Sequence, residues 1–340
     1  KPVQKRRSGM YGLDQFVARS DRAWGDVDEI VLRHTVLPYY LPFREGAQAD
    51  AKAAMASRFP GGLKYRLGLL TSRFRANHPL KACNACMAED LAQHFTSYWR
   101  LAHQLPSVWV CPTHGLPLMV STVKSTGVRR FHWLLPDEGE FESCTDRVWA
   151  HPLDRSDVTA LQRLADNSVA LAGLPEGTQF EPEKIRRTYG QQLQHLGLTK
   201  PTGAICWQQA AESYTRALAP FRAVTALSAL PATPDAALAE IRRFLRNPAR
   251  YNTHPIRHLA MIQWLFGSLG RFVESYHNAV TTPVLHSAPP KPISVDVPDR
   301  RRAEFLDLLQ KSFSVTRAAR TRGIDTTTGM AWATEAGISV

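Results

Sequence analysis

The sequence predicts a mixed, mainly α-helical fold in which a zinc-ribbon or zinc-finger module is followed by helical domains and a C-terminal helix-turn-helix. Three observations support this prediction. Metal-ligand residue types occur as two pairs with the same spacing, Cys83 with Cys86 and Cys111 with His114. Apolar residues recur with helical spacing between residues 151 and 280, and short helical patterns separated by turn signals follow residue 298.

Composition limits the class of protein. The chain has 340 residues, and 42 Lys and Arg against 30 Asp and Glu give it a formal charge of +12. The sequence contains no run of about 18 apolar residues, so no membrane span is predicted. The basic N-terminus lacks the apolar part of a secretory signal. The odd count of five Cys argues against a disulfide framework and favours a reducing compartment. Such a chain favours nucleic acid as a partner, and no membrane is expected.

Residues 1–60 are interpreted as an N-terminal segment. Asp26 is placed to cap a short helix that ends before Pro38. The aromatic-rich stretch 34–43 is predicted to be an extended packing strip, because a residue that precedes proline avoids the helical conformation.

Residues 61–150 contain two paired-ligand turns, Cys83-Asn-Ala-Cys86 and Cys111-Pro-Thr-His114, with 24 residues between them. Each turn places two ligands on one side of a tight loop, and two such turns complete the tetrahedron of a closed zinc site. Cysteines that lie close together by chance are one alternative, and a catalytic zinc is another. Four protein ligands leave no position open for water, so we predict one structural Zn²⁺ in a zinc-binding module.

The rest of this module is predicted to be mixed in secondary structure. Short strands are expected at 116–123 and 131–135. Trp99 and Trp109 are expected to pack in the core. His103 and Gln104 are interpreted as a polar brace for the second ligand turn, with His103 as a surrogate ligand the alternative.

Residues 151–280 are predicted to form a helical domain that has DNA binding as a candidate role. Thr233 is a favourable N-cap with Pro234 at the first helical position, and a further helix begins near Pro255. A proline-rich linker is predicted at 281–298.

Five arginines fall within sixteen residues that contain no acidic residue: Arg242, Arg243, Arg246, Arg250 and Arg257. Such a local charge suits contact with DNA phosphates. Each phosphate contact adds close to one unit to the slope of log K against log salt concentration. A solvated basic helix face is the alternative.

Residues 299–340 are predicted to form a helix-turn-helix-like tail. Ser314 can cap a helix that ends at Gly323, and small residues at 319 and 323 suit the close helix crossing of this motif. Gly329 departs from the pattern, because a bulky apolar residue is commoner there. The predicted DNA contacts are Thr326, Thr327 and Thr328 at the start of the recognition helix, and Arg317, Arg320 and Arg322 near the backbone. A three-helix bundle with a solvated basic face is the alternative.

Catalytic patterns do not accompany these features. The sequence contains no Walker-type glycine-rich loop, no G-x-S-x-G and no H-E-x-x-H. We therefore expect a protein that is not an enzyme. A metal nuclease and a zinc-dependent transcription regulator are the alternatives of another class.

The segment around the second ligand pair resembles a known family. It reads Tyr98-Trp99-Arg-Leu-Ala-His103-Gln104-Leu-Pro106-Ser107-Val-Trp-Val-Cys111-Pro-Thr-His114-Gly-Leu-Pro-Leu118. This is similar to the YW-x-x-x-HQLP-x-v-x-x-CP-x-HG-x-x-L pattern, preceded by C-x2-C, of the TniQ/TnsD family of transposon target-selection proteins. The chain departs from that pattern at Asn84, where Pro is usual, and at Ser107, where Gly is usual. Residues 34–43, 195–200 and 254–258 look like segments of the TnsD branch.

The resemblance implies a target-site selector in bacterial DNA transposition that binds double-stranded attachment-site DNA and recruits a TnsC-type AAA+ ATPase. The alternative within the family is a TniQ-type adaptor that docks on a CRISPR RNA-guided effector complex. The strip at 34–43 and the tail favour the TnsD-like version. The expected location is the bacterial cytoplasm, in association with the nucleoid, and the chain is expected to continue in a longer protein.

Overall fold

The computed structural model is mainly helical, as predicted. It describes residues 13–44, 72–74, 79–122, 134–142, 148–246, 253–279, 296–310 and 314–322, together with residues 324, 329–330, 332–333 and 336. The chain forms two compact units, residues 1–280 and 281–340, and this boundary coincides with the start of the predicted linker.

Two short helices, α1 (Leu13–Arg19) and α2 (Val27–Arg33), open the described part of the first unit. Asp26 caps α2 as predicted, because its carboxylate accepts the backbone N–H of Glu29 at 2.8 Å. The cap satisfies one of the N–H groups that a helix start leaves without a partner.

The predicted packing strip at 34–43 is buried but not extended. A 3₁₀ turn, Leu37–Tyr39, follows α2. Thr35 bends the chain, because its hydroxyl donates to the Val31 carbonyl at 2.7 Å and accepts the Leu37 N–H at 3.1 Å. The prediction of an extended conformation for this strip was therefore wrong. The packing role is confirmed by the buried side chains of Leu37, Tyr39, Tyr40, Leu41 and Phe43.

The described segment that carries the ligands, residues 79–122, contains four short elements: β1 (Lys81–Ala82), α3 (Asn84–His94), α4 (Leu101–Gln104) and β2 (Met119–Val120). The strands are antiparallel, with Lys81 opposite Val120 and Ala82 opposite Met119. The strand predicted at 116–123 is thus reduced to β2. Its partner β1 was not predicted, because two residues are too few to show an alternating pattern. Most of the strand predicted at 131–135 lies outside the described residues.

The remainder of the first unit is helical, as predicted. Thr233 accepts the N–H of Ala236 at 3.3 Å, and proline occupies the first helical position at both 234 and 255. The helices are α5 (Arg155–Ala172), α6 (Pro182–His195), α7 (Trp207–Ala217), α8 (Pro234–Leu245), α9 (Pro255–Phe266) and α10 (Leu269–Asn278).

A continuous hydrophobic core joins the three sequence segments of the first unit. It includes Val31 of α2, Cys111 of the second ligand turn, Leu164 of α5 and Ile262 of α9. A chain of buried hydroxyls crosses the same region, since Ser107 Oγ lies 2.9 Å from Tyr39 Oη and 2.6 Å from Ser168 Oγ. Ser107 is one of the two departures from the family pattern, and here its hydroxyl links the 34–43 strip to α5. The ligand-bearing segment is therefore packed into the helical core.

The second unit contains α11 (Asp296–Gln310) and α12 (Val315–Arg322), followed by helical residues at 329–330 and 332–333. The start of α11 replaces the last residues of the predicted linker, and the rest of that linker lies outside the described residues. Ser314 caps α12 as predicted, accepting the N–H of Arg317 at 3.4 Å. The small core of this unit contains Phe305, Val315, Ala318, Ala319 and Ala333.

Gly329 has a packing reason to be glycine. A Cβ at this position would lie 3.0 Å from Cζ of Phe305 and 3.4 Å from Cβ of Ala319. The ring of Phe305 therefore occupies the space that a bulky residue at 329 would need.

Across the described part of the chain, no helix combines the length and the apolar composition needed to cross a bilayer.

The buried His258 predicts a pH dependence of stability. Its ring stacks on Phe43 at 4.0 Å between centroids, and Nδ1 lies 3.2 Å from the Tyr189 hydroxyl. Burial, and to a smaller extent the charge of Arg44, lowers the pKa of His258 to about 3. The unfolded pKa is about 6.5, so below that pH the unfolded chain binds a proton that the folded chain cannot accept. Stability from this group is complete above pH 6.5 and is lost as the pH falls towards 3.

His258→Gln should weaken this dependence. Between pH 7 and pH 5 the free energy of unfolding of the wild type should fall by about 2 kcal/mol more than that of the variant. Urea unfolding at the two pH values measures the difference, with exposed His195→Gln as the control. Equal losses in the wild type and in His258→Gln would contradict the assignment.

Candidate metal centre

The two ligand turns are held by different local structures. Cys83 directly precedes α3 and Cys86 lies in its first turn. The second turn is closed by two backbone hydrogen bonds, from Cys111 N–H to Leu116 O at 2.7 Å and from Gly115 N–H to Cys111 O at 2.8 Å. Gly115 has a positive φ of 65°, a conformation that favours glycine. The turn therefore presents Cys111 and His114 on the same side.

The structure brings the four predicted ligands together. The sulfurs of Cys83, Cys86 and Cys111 and a ring nitrogen of His114 all lie within 4.8 Å of one another. Nδ1 of His114 is 3.7, 3.2 and 3.6 Å from these three sulfurs, in that order, and the sulfurs of Cys86 and Cys111 are 3.6 Å apart. The three cysteines are buried and His114 is partly buried. This Cys₃His group can hold a metal ion.

The separations also fit the size of a tetrahedral zinc site. Zinc–sulfur bonds of about 2.3 Å and zinc–nitrogen bonds of about 2.0–2.1 Å imply edges of about 3.8 Å between sulfurs and about 3.6 Å from sulfur to nitrogen. The three distances from His114 Nδ1 to the sulfurs and the distance between the sulfurs of Cys86 and Cys111 fall within a few tenths of an ångström of these edges.

A carboxylate contacts the ring of His114, and this contact was not predicted. Nε2 of His114 lies 2.9 Å from Oε1 of Glu89, which is on α3 three residues after Cys86. Arg100 pairs with the acidic residues of this helix, because its guanidinium lies 2.6 Å from Asp90 and 3.8 Å from Glu89. The three-residue spacing of Cys86 and Glu89 on one helix face is the signal that could have found this contact.

His103 and Gln104 of the family pattern lie on α4, directly beside the centre. Gln104 braces β1, since its Oε1 accepts the Lys81 N–H at 3.0 Å and its Nε2 donates to the Lys81 carbonyl at 2.8 Å. His103 is buried, with Nε2 3.5 Å from the sulfur of Cys111 and 3.9 Å from that of Cys86. Burial, and then the charges of Arg100 and Lys81, lower the pKa of His103 to about 4.

The aromatic and proline positions of the pattern support the turn. Trp109 is buried, and its Nε1 donates to the Pro106 carbonyl at 3.0 Å. Trp99 is partly buried and its Nε1 donates to the Leu134 carbonyl at 2.7 Å. Core packing is thus confirmed for Trp109, whereas Trp99 lies at the margin of the core.

Lys81 is a further buried basic residue that the sequence did not indicate. Its ammonium group donates to the carbonyls of Leu105 and Val108 and lies 4.4 Å from the centre of the Trp109 ring. Burial lowers the pKa of Lys81 to about 7. The side chain ties β1 to the segment that leads into Cys111.

The predicted arginine cluster divides into two groups. Arg242, Arg243 and Arg246 are exposed at the end of α8. Arg257 instead forms an ion pair with buried Glu240 and donates to the Ala229 carbonyl at 3.0 Å, so its guanidinium is engaged within the fold. Arg250 lies outside the described residues.

The structure describes two of the tail residues that were predicted to contact DNA. Arg317 and Arg320 are exposed on α12. The side chain of Arg322 and the residues Thr326, Thr327 and Thr328 lie outside the described part, so their DNA contacts stay predictions.

Comparisons with known proteins match two segments of the chain. Residues 6–118 match the model of the TniQ family, and residues 164–289 match the family model described as Tn7-like transposition protein D, TnsD. The first match includes all four ligands of the metal centre, and the second includes α8 and its exposed arginines. A comparison with curated proteins gave no match.

Loss of the metal should destabilise the first unit, because the three cysteine ligands belong to its core. Structural metal sites supply about 10–16 kcal/mol of apparent binding free energy. We expect Cys83→Ser and His114→Ala to give insoluble or unfolded protein, and a strong chelator to lower the melting temperature of the wild type. Circular dichroism against temperature measures the effect.

Cys206→Ser is the matched control, because this partly buried thiol is not one of the clustered ligands. It should melt close to the wild type and remain sensitive to the chelator. A wild-type protein whose melting is unaffected by complete metal removal would contradict the structural role.

Proposed function

The chain belongs to the TniQ/TnsD family, and on that premise we propose that it is a target-site selector in bacterial DNA transposition. In this role it binds attachment-site DNA and recruits a TnsC-type AAA+ regulator. It positions other proteins and catalyses no reaction itself. The observation that carries the proposal is the occurrence of a TniQ segment and a TnsD segment in one chain, which indicates a Tn7-like transposition protein.

Direct reading of DNA is favoured over docking on an RNA-guided complex. The TnsD match covers residues 164–289, a segment whose helix α8 ends in three exposed arginines. Arg242 also lies 5.3 Å from the ring of Trp207 on α7, a cation–π contact that supports its position. Exposed guanidinium groups in a stretch of sequence that contains no acidic residue, 242–257, suit duplex phosphates.

The tail is proposed to add a second contact with DNA as a helix-turn-helix. Support comes from the capped helix α12, the exposed Arg317 and Arg320, and the small residues Ala319 and Gly329 where the helical segments pack. Arg322 and the threonines at 326–328 complete this proposed surface.

The metal is proposed to be Zn²⁺ in a structural role. Three sulfurs and one imidazole nitrogen form a donor set that zinc prefers, at separations that suit its tetrahedron. When bound, the ion supplies cross-linking of two chain segments. Cys83, Cys86, Cys111 and His114 hold it and fix the ends of the segment between them.

Neutralising the α8 arginines should reduce the salt dependence of DNA binding. Each phosphate contact contributes about 0.9 to the slope of log K against log salt, so replacing Arg242, Arg243 and Arg246 by Gln should lower the slope by about 3. Fluorescence anisotropy with a labelled insertion-site duplex, between about 0.05 and 0.2 M salt, measures this slope. The control replaces three other exposed arginines, Arg155, Arg163 and Arg271, by Gln, and should keep most of the slope.

The same titration separates the two versions of the function. The protein alone should bind the insertion site with a Kd of about 10⁻⁸ M or tighter, against about 10⁻⁴–10⁻⁶ M for unrelated duplex. Specific binding that requires the RNA-guided complex would contradict direct reading and identify the adaptor. Equal slopes for the two triple variants would remove α8 from the DNA surface.

A further inference from the structure

We propose that Glu89 and His103 form an outer shell that positions and protects the metal ligands. Glu89 fixes the ring of His114, and His103 donates a ring N–H to the sulfurs of Cys111 and Cys86. The inference rests on the proposal that the Cys₃His group holds zinc. It assigns roles to one residue outside the family pattern and to one within it.

Glu89 determines which nitrogen of His114 faces the ion. The carboxylate lies 2.9 Å from Nε2, on the opposite side of the ring from the sulfurs, which Nδ1 approaches to 3.2–3.7 Å. A carboxylate accepts hydrogen bonds, so Nε2 carries the proton and Nδ1 presents its lone pair to the metal. Arg100 holds the acidic pair Glu89 and Asp90 in place. The carboxylate therefore orients the ligand before the ion binds.

His103 faces the sulfurs from inside the core. Its side chain is buried, and Nε2 approaches two of the three cysteine sulfurs, at 3.5 and 3.9 Å. Three thiolates around a divalent cation leave a net charge of −1, and a buried negative charge needs hydrogen-bond donors. An imidazole with its proton on Nε2 supplies such a donor to these sulfurs.

The geometry separates this role from that of a surrogate ligand. Nδ1 of His114 lies within hydrogen-bonding distance of the sulfurs of all three cysteines, whereas the short approaches of Nε2 of His103 are to Cys86 and Cys111. The cluster with mutually close ligand atoms contains His114. His103 is therefore a positioning residue that acts through the sulfurs.

Zinc affinity tests both contacts. Competition with a chromogenic chelator at pH 7.5 should show that Glu89→Ala and His103→Leu each weaken zinc binding about 10–100-fold. Glu89→Gln and His103→Gln, which retain an acceptor and a donor, should recover part of the loss. Glu274→Ala on the exposed face of α10 and His94→Leu at the exposed end of α3 are the matched controls and should leave the affinity unchanged.

Two further readouts distinguish hydrogen bonding from packing at His103. Loss of an N–H donor makes a thiolate more nucleophilic, so His103→Leu should react faster with N-ethylmaleimide at full zinc occupancy, whereas His103→Gln should react more slowly than His103→Leu. In the wild type, proton–nitrogen NMR should show a slowly exchanging proton on Nε2 of His103. This measurement remains decisive if His103→Leu does not fold.

The outcomes separate the two proposals. A wild-type protein that binds no zinc overturns the proposed metal. Tight zinc binding in the wild type, with Glu89→Ala at the control value, overturns the role of Glu89. An unprotonated Nε2 in the zinc-loaded wild type overturns the role of His103.

Discussion

The constraint on which the first unit depends is the closure of two distant ligand turns around one point. Cys86 and Cys111 are separated by 24 residues, yet their sulfurs are 3.6 Å apart. Most of α3 and the single turn α4 lie between them, and the antiparallel pair β1–β2 beside them has two residues in each strand. A sheet of that size has no independent stability. The Gln104 brace and the buried Lys81 side chain hold the segment in place, and a metal ion bound by the four clustered residues would cross-link its two ends.

This closure reaches the helical part through shared packing. The three cysteines belong to the same hydrophobic core as Leu164 of α5 and Ile262 of α9. The Tyr39–Ser107–Ser168 hydroxyl chain crosses from the 34–43 strip through the ligand-bearing segment to α5. Disturbing the ligand turns should therefore disturb the helices. In the proposed function the metal centre acts as a structural link in the TniQ segment, close in the fold to the helices of the TnsD segment.

Local chemistry in the sequence predicted some features well. The four ligands follow from two x2 spacings, and the caps at Asp26, Thr233 and Ser314 follow from side chains that bond their own backbone. Two local features of the backbone were missed. The strip at 34–43 turns because of Thr35, and β1 is too short for a pattern.

The charge of a residue in the sequence did not predict whether the fold exposes its side chain or pairs it with another residue. Arg242 and Arg257 look equivalent in the sequence, but the fold exposes the first and pairs the second with buried Glu240. Glu89 lies three residues after Cys86 on α3, a spacing that places it on the ligand side of the helix, but its contact with His114 becomes visible when His114 is placed against α3. Such residues can be assigned only when their contacts in the folded structure are known, because the same residue type occurs both at the surface and in pairs inside the fold.

The coordination of the metal in the freshly purified protein tests the central claim most directly. X-ray absorption at the zinc edge, combined with elemental analysis, should give about one zinc per chain, with three sulfurs at about 2.3 Å and one nitrogen at about 2.0–2.1 Å. Protein that is folded and free of zinc would contradict the claim. A first shell composed mainly of oxygen and nitrogen would contradict it equally.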